Sequence, residues 1–454
     1  MARFLRGMTL VVVSALLTAC SNGGTAAPSS AGASTGGAGA SASSGASASG
    51  GSGGTGANSG ATITVTSLWG GSEQESFQKV LDAFKAKTGI TAKYESIRTD
   101  YATVLQTRIT GGNPPDVAIM PGIGFLRRFA NDGSIKKITD LGIDPASIAG
   151  NYAPGILEIG KVGNDQYGIM VKFNSKSTVW YRPQKLKDAG VAIPKTWDDF
   201  TAAVAKLKAK GDIPLGLGAK DSWTLTDWFE SIYVRQAGPD AYSKLFSKDG
   251  DWTDPTVTTA IKTMLDVLKE GNVVGGINGA LGAAFTDGIG QVFSANPKAD
   301  MYYEGGFVGG IITGQVNKAA KLGTDADWFD FPSINGNNGV TIGGDVIAAL
   351  TTKPGVKEFL QYMTTPESGE VWAKTGAIIS PIKSVSPDAY PNDTVKKEAA
   401  QVANASAVRF DGSDLLPSGA PDLGALLQNA LKGQDMAPQL QQFQTKVKDA
   451  WSSE

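Results

Sequence analysis

The sequence contains no histidine and a single cysteine, Cys20, in 454 residues. Without histidine, the chain cannot use Ser-His-Asp or Cys-His catalysis, and it cannot build a zinc site from imidazole ligands. One cysteine leaves no second thiol for a disulfide bond within the chain. These absences exclude several common classes of hydrolase and metalloprotein.

The sequence also lacks an excess of positive charge. It has 41 Lys and Arg residues against 43 Asp and Glu residues, which gives a formal net charge of −2. A protein that binds nucleic acid or anionic lipid through its surface needs a basic patch, and this balance gives no sign of one. We therefore expect neither partner, whereas a neutral ligand suits the chain.

Long apolar runs are absent apart from Met8–Ala19, which follows Arg3 and Arg6. A membrane-spanning helix needs ~20 apolar residues, so this run is too short and instead predicts a secretory signal peptide over residues 1–19. The run Leu17-Thr18-Ala19-Cys20 resembles a bacterial lipobox. That resemblance implies that the cysteine becomes the mature N-terminus and carries lipid, which anchors the protein at the extracellular face of the cell membrane.

A Ser/Gly/Ala-rich segment, 20–62, separates this anchor from the rest of the chain. Residues 21–61 include no charged side chain and almost no large apolar one, so they cannot bury a core. We interpret the segment as a flexible linker with a root-mean-square reach of roughly 32–38 Å. No later apolar run is long enough to cross a membrane, and the remaining length predicts two or three folded domains.

The folded part opens with a predicted strand, turn and helix. The run Thr62–Leu68 is rich in β-branched residues and predicts a strand. Ser72-Glu73-Gln74-Glu75 has the capping-box pattern at the start of a helix, and Gly89 stands where that helix should stop. Strands at 90–94 and 117–120 then predict an α/β fold with a largely parallel sheet.

Later helices have equally clear starts. Thr196 is expected to cap a helix that carries apolar residues at helical spacing and ends near Gly211. Asp254 and Pro255 open another helix, which should end at Gly271. These helices support the α/β class.

An aromatic and acidic cluster lies at the end of the first predicted strand. In open α/β sheets, ligands bind beyond the carboxyl ends of the strands, where Trp69, Gly70, Gly71 and Glu73 lie. An indole face can pack on a pyranose ring and a carboxylate can accept hydrogen bonds from hydroxyl groups. The alternative is that Trp69 fills the sheet edge and Glu73 only stabilises the helix N-terminus.

Several motifs give the chain a family resemblance that extends over nearly all of residues 63–451. In order they are Gly111-Gly112-Asn113-Pro114-Pro115-Asp116-Val117, Tyr167-Gly168-Ile169-Met170-Val171-Lys172, Trp180-Tyr181-Arg182, Pro194-Lys195-Thr196-Trp197-Asp198, Trp223-Thr224-Leu225-Thr226-Asp227-Trp228-Phe229-Glu230, Met301-Tyr302-Tyr303-Glu304-Gly305-Gly306-Phe307-Val308, Gly343-Gly344-Asp345, Ser380-Pro381 and Arg409-Phe410-Asp411-Gly412-Ser413-Asp414. Their order behind a lipobox and linker resembles the extracellular solute-binding proteins of carbohydrate ABC transporters, and within them the α-glucoside-binding group. Phe307 is a departure, because many relatives outside that group carry Trp there.

The resemblance implies a two-lobed, periplasmic-binding-protein-like fold of type II, with hinge strands between the lobes. Lobe 1 is expected to comprise 63–171 and 332–378, and lobe 2 to comprise 172–331 and 379–454. The crossings are expected near 171–174, 329–334 and 376–381. Such a pair of lobes closes on its ligand by a hinge motion.

The resemblance also implies a function and a site. The protein would capture a neutral carbohydrate, an α-glucoside or small oligosaccharide, and deliver it to the membrane permease of an ABC importer, as a monomer without metal, cofactor or catalytic residues. The expected ligand-binding residues combine apolar faces with converging polar groups: Trp69, Glu73, Trp223, Asp227, Glu304, Phe307, Gly344, Asp345, Arg409 and Asp411.

Several of these residues have a structural alternative. Asp227 can cap a helix, and either Trp223 or Trp228 can face the cleft while the other is in the core. The glycines before Asp345 can form a simple turn, although glycine also lets a ligand approach the backbone. Arg409 can pair with its near neighbour Asp411 on the surface.

Two other functions are open on the residues alone. Glycosidases place two carboxylates around the scissile bond, and Glu304 with Asp345 or Asp227 could do so. A binder of another solute, such as a peptide, an anion or a metal chelate, is the second alternative. The missing basic cluster disfavours anions, and the aromatic residues at predicted strand ends favour a sugar over a bare metal ion.

Overall fold

A computed structural model of the chain describes residues 58–152 and 156–454. The expected signal peptide, the expected lipidation site Cys20 and nearly all of the expected linker lie outside the described residues. Within the part of the chain that the structure describes, no helix has the length and apolar character needed to cross a membrane.

The described residues alternate between strands and helices. The strands are β1 (Thr62–Ser67), β2 (Thr91–Ser96), β3 (Val117–Met120), β4 (Lys161–Val162), β5 (Asp165–Gln166), β6 (Gly168–Ser175), β7 (Thr178–Tyr181), β8 (Leu215–Gly216), β9 (Met301–Glu304), β10 (Asp327–Asp330), β11 (Val340–Ala349) and β12 (Val408–Phe410). The α-helices are α1 (Ser72–Thr88), α2 (Tyr101–Thr110), α3 (Ile123–Asn131), α4 (Pro145–Ala149), α5 (Pro183–Asp188), α6 (Trp197–Ala209), α7 (Trp223–Gln236), α8 (Pro239–Leu245), α9 (Pro255–Val267), α10 (Gly276–Gly282), α11 (Phe285–Phe293), α12 (Val308–Ile311), α13 (Val356–Met363), α14 (Pro366–Ala373), α15 (Asp393–Asn404), α16 (Gly412–Leu415), α17 (Leu423–Leu431) and α18 (Met436–Ser452).

Helix ends follow most of the local signals in the sequence. Gly89 ends α1 in a left-handed conformation, Thr196 caps α6 and Asp254 caps α9 with Pro255 in the first turn, as predicted. The predicted capping box at the start of α1 is wrong. Gly71 occupies the N-cap position and provides no side-chain cap, while Ser72 is already the first helical residue.

The first sheet is built around β1, whose apolar residues Ile63 and Val65 are fully buried. The strand order is β12-β11-β3-β1-β2, and β6 pairs with β11 beside this row. β1 runs parallel to β2 and β3, whereas β11 runs antiparallel to β3 and β6. The sheet is therefore mixed, not largely parallel as predicted, because β11 enters it after a long excursion through a second sheet rather than through a crossover helix.

The second sheet has the strand order β10-β7-β9-β8. β7 runs antiparallel to both β10 and β9, and β8 runs parallel to β9. Helix α7 packs on this sheet and is buried along almost its whole length. A small two-stranded sheet, β4 and β5, lies before β6.

Two hydrophobic cores divide the fold into two lobes. The first lobe's core contains residues from Ile63 to Phe173 and from Val340 to Phe410. The second lobe's core contains residues from Val179 to Ile334 and from Leu416 to Val447, with a smaller cluster around Trp180 and Trp328. The two-lobed α/β class is therefore confirmed, and burial assigns the residues between Ile379 and Phe410 to the first core, whereas the sequence-based division placed 379–454 in lobe 2.

The chain passes between the lobes at three places that adjoin in one sheet. They are the β6–β7 connection at 175–178, the β10–β11 connection at 330–340 and the β12–α16 connection at 410–412. β11 pairs with β6 on one side and β12 on the other. The third crossing differs from the expected 376–381, since Ile379 exchanges backbone hydrogen bonds with Phe173 inside the first lobe.

Candidate functional site

A cleft of about 560 Å³ lies between the two lobes. Residues from both lobes line it, and the mouth is bridged by a hydrogen bond in which Gln315 Nε2 donates to Ser72 Oγ at 3.0 Å. The lining residues include Leu68, Trp69, Glu73, Arg98, Lys172, Gly343, Gly344 and Asp345 on the first lobe side, and Asp221, Trp223, Phe285, Phe307, Asp411, Ser413 and Asp414 on the second.

Trp69 follows β1 and belongs mostly to the first core. Its ring packs edge-on against Phe77 and Trp372, with ring centroids 5.1 and 5.3 Å away, and the residue is 2% exposed. The indole fills the sheet edge, as the structural alternative predicted, and it also reaches the cleft wall. Trp69 therefore acts mainly as a buried support for the cleft wall, and little of its ring face is free to contact a ligand.

Lys172 joins the polar groups on the first lobe side. Its Nζ lies 3.1 Å from Glu73 Oε1, 3.3 Å from Asp345 Oδ2 and 4.5 Å from the Trp69 ring centroid. Burial acts to lower the pKa of Lys172, but the two carboxylates outweigh it and raise the pKa overall. Burial raises the pKa of Asp345 despite the opposing charge of Lys172. We name these three polar residues the Lys172 group.

Gly343 and Gly344 lie inside β11 before Asp345, so the turn interpretation of this motif is wrong. A Cβ atom on Gly343 would lie 2.4 Å from Lys176 Cε, and one on Gly344 would lie 2.6 Å from the Lys172 backbone oxygen. Gly343 therefore makes room for the Lys176 side chain, and Gly344 for the backbone of β6 at Lys172. Glycine permits a close backbone approach, and at Gly344 the atom that comes close belongs to the neighbouring strand β6, not to a ligand.

Three aromatic rings form the second lobe's wall of the cleft. Trp223 lies 4.8 Å from Phe285 and 6.3 Å from Phe307, and Phe285 lies 5.8 Å from Phe307, as measured between ring centroids. Trp223 is 36% exposed, whereas Trp228 is buried in the second core. We name these three residues the aromatic wall, and its exposed indole is a surface on which an apolar ligand face can pack.

Lys176 joins a second set of carboxylates beside the aromatic wall. Its Nζ lies 3.0 Å from Asp227 Oδ1, 2.5 Å from Asp411 Oδ2 and 5.4 Å from the Trp223 ring centroid. Burial acts to lower the pKa of Lys176, but the two carboxylates raise it well above its usual value. Burial likewise acts to raise the pKa of Asp411, and Lys176 reverses that effect. We name these three residues the Lys176 group.

Glu304 and Asp227 form a buried carboxyl pair behind this wall. Glu304 is fully buried at the end of β9, and Asp227 lies within α7, so the interpretation of Asp227 as a helix cap is wrong. Burial and the neighbouring Asp227 charge raise the pKa of Glu304 well above its usual value, while burial raises the pKa of Asp227 to about 7 against the charge of Lys176. Neither residue is among those that line the cleft.

Arg409 lies away from the cleft. Its guanidinium donates to the Pro239 backbone oxygen at 3.0 Å and reaches Asp240 at 3.4 Å. Asp411 does not pair with Arg409, because it accepts from Lys176 and caps α16. The cleft therefore includes seven of the ten expected residues, and the structure places Arg409 on the outer face, with Asp227 and Glu304 behind the wall.

The sequence-based prediction of the site did not include five residues that line the cleft: Lys172, Lys176, Phe285, Arg98 and Asp414. Lys172 had a detectable signal, since it interrupts the apolar run at 169–173 and a buried lysine needs a charged partner. Lys176 stands between Ser175 and Ser177 and gives no such signal. Phe285 stands at the first position of α11, and its sequence surroundings give no comparable signal.

The cleft chemistry favours holding a ligand over transferring a proton to it. Of the carboxylates that the glycosidase alternative would use, Glu304 is fully buried behind the wall and Asp345 is held by Lys172. What faces the cleft is a set of apolar rings opposite carboxylates and lysines, which match the two faces of a polyhydroxylated ring.

Comparison with known proteins agrees with this geometry. The sequence model of the family described as "Bacterial extracellular solute-binding protein" matches residues 70–370. The "Alpha-glucosides-binding periplasmic protein AglE" of Rhizobium meliloti (strain 1021) is 31% identical over 375 residues, which is 79% of this chain and 80% of that protein. The "Osmoprotective compounds-binding protein GgtB" of Synechocystis sp. is 29% identical over 362 residues, 78% of this chain and 84% of that protein.

Solved structures show the same fold. A "Chitin oligosaccharide binding protein" superposes with a TM-score of 0.72 at 22% identity, covering 86% of this chain and 99% of its own. "SBP RafE in complex with raffinose" superposes with a TM-score of 0.69 at 20% identity, covering 86% and 99%. At these identities the likeness establishes the fold alone.

Proposed function

The chain belongs to the family of bacterial extracellular solute-binding proteins, and we propose that it captures a neutral carbohydrate for an ABC importer. The ligand class is an α-glucoside or a small oligosaccharide of that type. The name of the relative from Rhizobium meliloti, an α-glucoside-binding protein, supports this class. The protein delivers its ligand to the permease subunits in the membrane.

One observation carries the ligand class: the aromatic wall faces the Lys172 group across a single cleft. Trp223 presents an exposed ring face, and Glu73 and Asp345 are carboxylates on the other side. A pyranose has apolar C–H faces and a rim of hydroxyl groups, so it can use both sides at once. A ligand that touches both lobes also favours their closed arrangement, which is the differential contact that a hinge mechanism requires.

The ligand is bound without turnover, and we propose that the site needs no metal or cofactor. A thermal-shift panel of α-glucosides, β-glucosides, peptides and small anions tests the class, because a ligand that binds only the folded state raises its melting temperature. We expect the α-glucosides to stabilise the protein most. Incubation with an aryl α-glucoside tests turnover: steady release of the aryl group, abolished in Glu304→Gln, would favour a glycosidase instead.

The anchoring of the protein is part of the same proposal. Lipid on Cys20 would hold a monomer at the extracellular face of the membrane, and the Ser/Gly/Ala-rich segment would let the lobes reach the permease. Cys20→Ser removes the thiol to be lipidated, so the variant should leave the membrane fraction while still binding sugar. Retention of the variant in that fraction would contradict the lipid anchor.

A further inference from the structure

A second cavity adjoins the cleft at Trp223. This cavity, about 290 Å³ in volume, shares Trp223, Ser413 and Asp414 with the main cleft. We name it the second chamber. Because the same three residues line both spaces, the two cavities adjoin at the indole.

The second chamber repeats the chemistry of the main cleft on a smaller scale. Phe125 of α3 contributes a ring from the first lobe, and Trp223 contributes one from the second. A Cβ atom on Gly122 would lie 2.9 Å from Phe125 Cδ2, so the ring rests on the backbone at the start of its own helix. Ser413 and Asp414 supply polar groups between the rings. None of the described residues that line the chamber is a lysine or arginine, which favours a neutral hydroxylated group over an anionic one.

The size of the chamber limits what it can take. Its volume is at the lower end of the range for small-molecule pockets, roughly 300–1,000 Å³, so it suits one ring and not a second oligosaccharide. A further cavity of about 850 Å³ shares Pro417, Ser418 and Pro421 with the chamber and is lined by the end of α3 and by the C-terminal helix α18. The second chamber therefore lies in a row of adjoining cavities that runs from the main cleft towards α18.

We propose that the second chamber is a subsite for one further glycosyl unit of the ligand held in the main cleft. The inference rests on the proposed function. It makes the preferred ligand an oligosaccharide whose chain passes Trp223, with one ring on each side of the indole. Phe125 then determines the preference for ligand length, and the aromatic wall determines whether sugar binds at all.

Calorimetric titration with glucose, maltose, maltotriose and maltotetraose, and with the isomaltose series, tests the subsite. We expect the affinity of the wild-type protein to rise by roughly tenfold at the length that first enters the second chamber, since a partly buried aromatic face is added. Phe125→Ala should remove that rise and leave the affinity for shorter members unchanged. Phe285→Ala, in the main cleft, should weaken binding of every length.

A second variant guards against loss of folding in Phe125→Ala. Ser418 lines the chamber and is partly exposed, so Ser418→Phe should fill the space while the melting temperature of the unliganded protein stays at the wild-type value. It should also remove the length-dependent rise. If wild type gains nothing with length, or both variants keep the full gain, the subsite is absent and the cavity only accommodates lobe movement. If no saccharide binds the wild type at any length, the proposed function fails and the subsite with it.

Discussion

The Lys172 group and the Lys176 group use the same kinds of residue in opposite ways. Each places a lysine between two carboxylates and near an indole ring. Next to Lys172 the indole of Trp69 is buried and the side chain of Glu73 is 30% exposed. Next to Lys176 the carboxylates are buried and the indole of Trp223 is exposed.

Under the proposed function, we expect this inversion to divide the ligand contacts between the lobes. The first lobe side offers carboxylates on an apolar support, and the second adds three aromatic rings to the polar groups of Asp221, Ser413 and Asp414. We expect a flat ligand with one apolar face and a polar rim to contact both lobes. The following predictions test this division, from the largest expected effect to the smallest.

The largest effect should come from removing the lysine that is held by fully buried carboxylates. Lys176→Met leaves Asp227 and Asp411 without their cation in the interior, and breaking a buried pair in this way costs about 3–5 kcal/mol. Chemical denaturation measures the loss. Lys262→Met is the matched control, since Lys262 pairs with Asp266 on the surface and such pairs contribute about 0–1 kcal/mol. Equal losses in the two variants would contradict the buried role of Lys176.

The two indoles should separate stability from binding. Trp69→Ala removes a buried ring from the first core and should cost about 3–5 kcal/mol of unfolding free energy. Trp223→Ala removes an exposed ring and should instead weaken sugar binding by roughly 10–150-fold, with little change in the unliganded melting temperature. Melting and calorimetry on both variants check the pair. If Trp223→Ala binds sugar as wild type does, the aromatic wall is not the binding surface.

The aromatic wall should also control how far the two lobes close when sugar binds. X-ray scattering of the wild-type protein should show a smaller radius of gyration when sugar is added, because contacts from both lobes favour closure. Trp223→Ala and Phe307→Ala should need far more sugar for the same change. Tight binding with no change in radius would rule out the hinge mechanism while leaving the ligand class intact.

The buried carboxyl pair should make stability depend on pH. In the folded state the pKa of Glu304 is well above its usual value and that of Asp227 is about 7. The folded protein therefore keeps protons that the unfolded chain releases, and the free energy of unfolding should fall as pH rises from about 4 towards 7. The slope is at most about 1.4 kcal/mol per pH unit for one group.

Glu304→Gln should reduce that slope, because the amide neither binds nor releases a proton in this range. Lys262→Met is the control, since Lys262 lies on the surface in a pair with Asp266 and its removal should keep the wild-type slope. Denaturation at a series of pH values measures both. If Glu304→Gln leaves the pH dependence of the unfolding free energy unchanged, the proton retained by the folded state is not bound to Glu304.

The smallest effect should come from the exposed carboxylate of the Lys172 group. Glu73→Gln keeps an acceptor for sugar hydroxyl groups but weakens a partly exposed ion pair, so stability should change by less than about 1 kcal/mol. Affinity should fall by a few-fold, as measured by calorimetry. A loss of affinity as large as that of Trp223→Ala would contradict the expectation that the aromatic wall makes the main contact with the ligand.

Much of the fold was predictable because its signals are local. The strand at Val117–Met120 and the caps Thr196 and Asp254 depend on residues a few positions apart. The start of α1 was mispredicted because Gly71, with φ of 59°, takes the cap position that the Ser72 pattern suggested for a side chain. The antiparallel entry of β11 depends on pairing across more than 160 residues, which no local pattern records.

The site was predictable where aromatic residues and glycines marked strand ends, and less so where charges meet across the fold. Lys172 finds Glu73 and Asp345, which are distant in sequence, and Lys176 finds Asp227 and Asp411. Arg409 carries the same charge but lies near Pro239 and Asp240 on the outer face. The packing of β12 against α8 decides where the Arg409 side chain lies, so composition and spacing could not predict that it lies outside the cleft.

The hydrogen bond between Ser72 and Gln315 marks the two edges of the mouth. Since the three lobe crossings run side by side in one sheet, we expect opening to be a hinge rotation that the distance between these two residues reports. Cys20 is the only cysteine and lies far before the folded lobes in sequence, so a pair of cysteines placed at 72 and 315 in a Cys20→Ser background would accept dyes at those positions alone. A protein labelled with dyes at these two positions would serve as a fluorescent sensor of its own ligand.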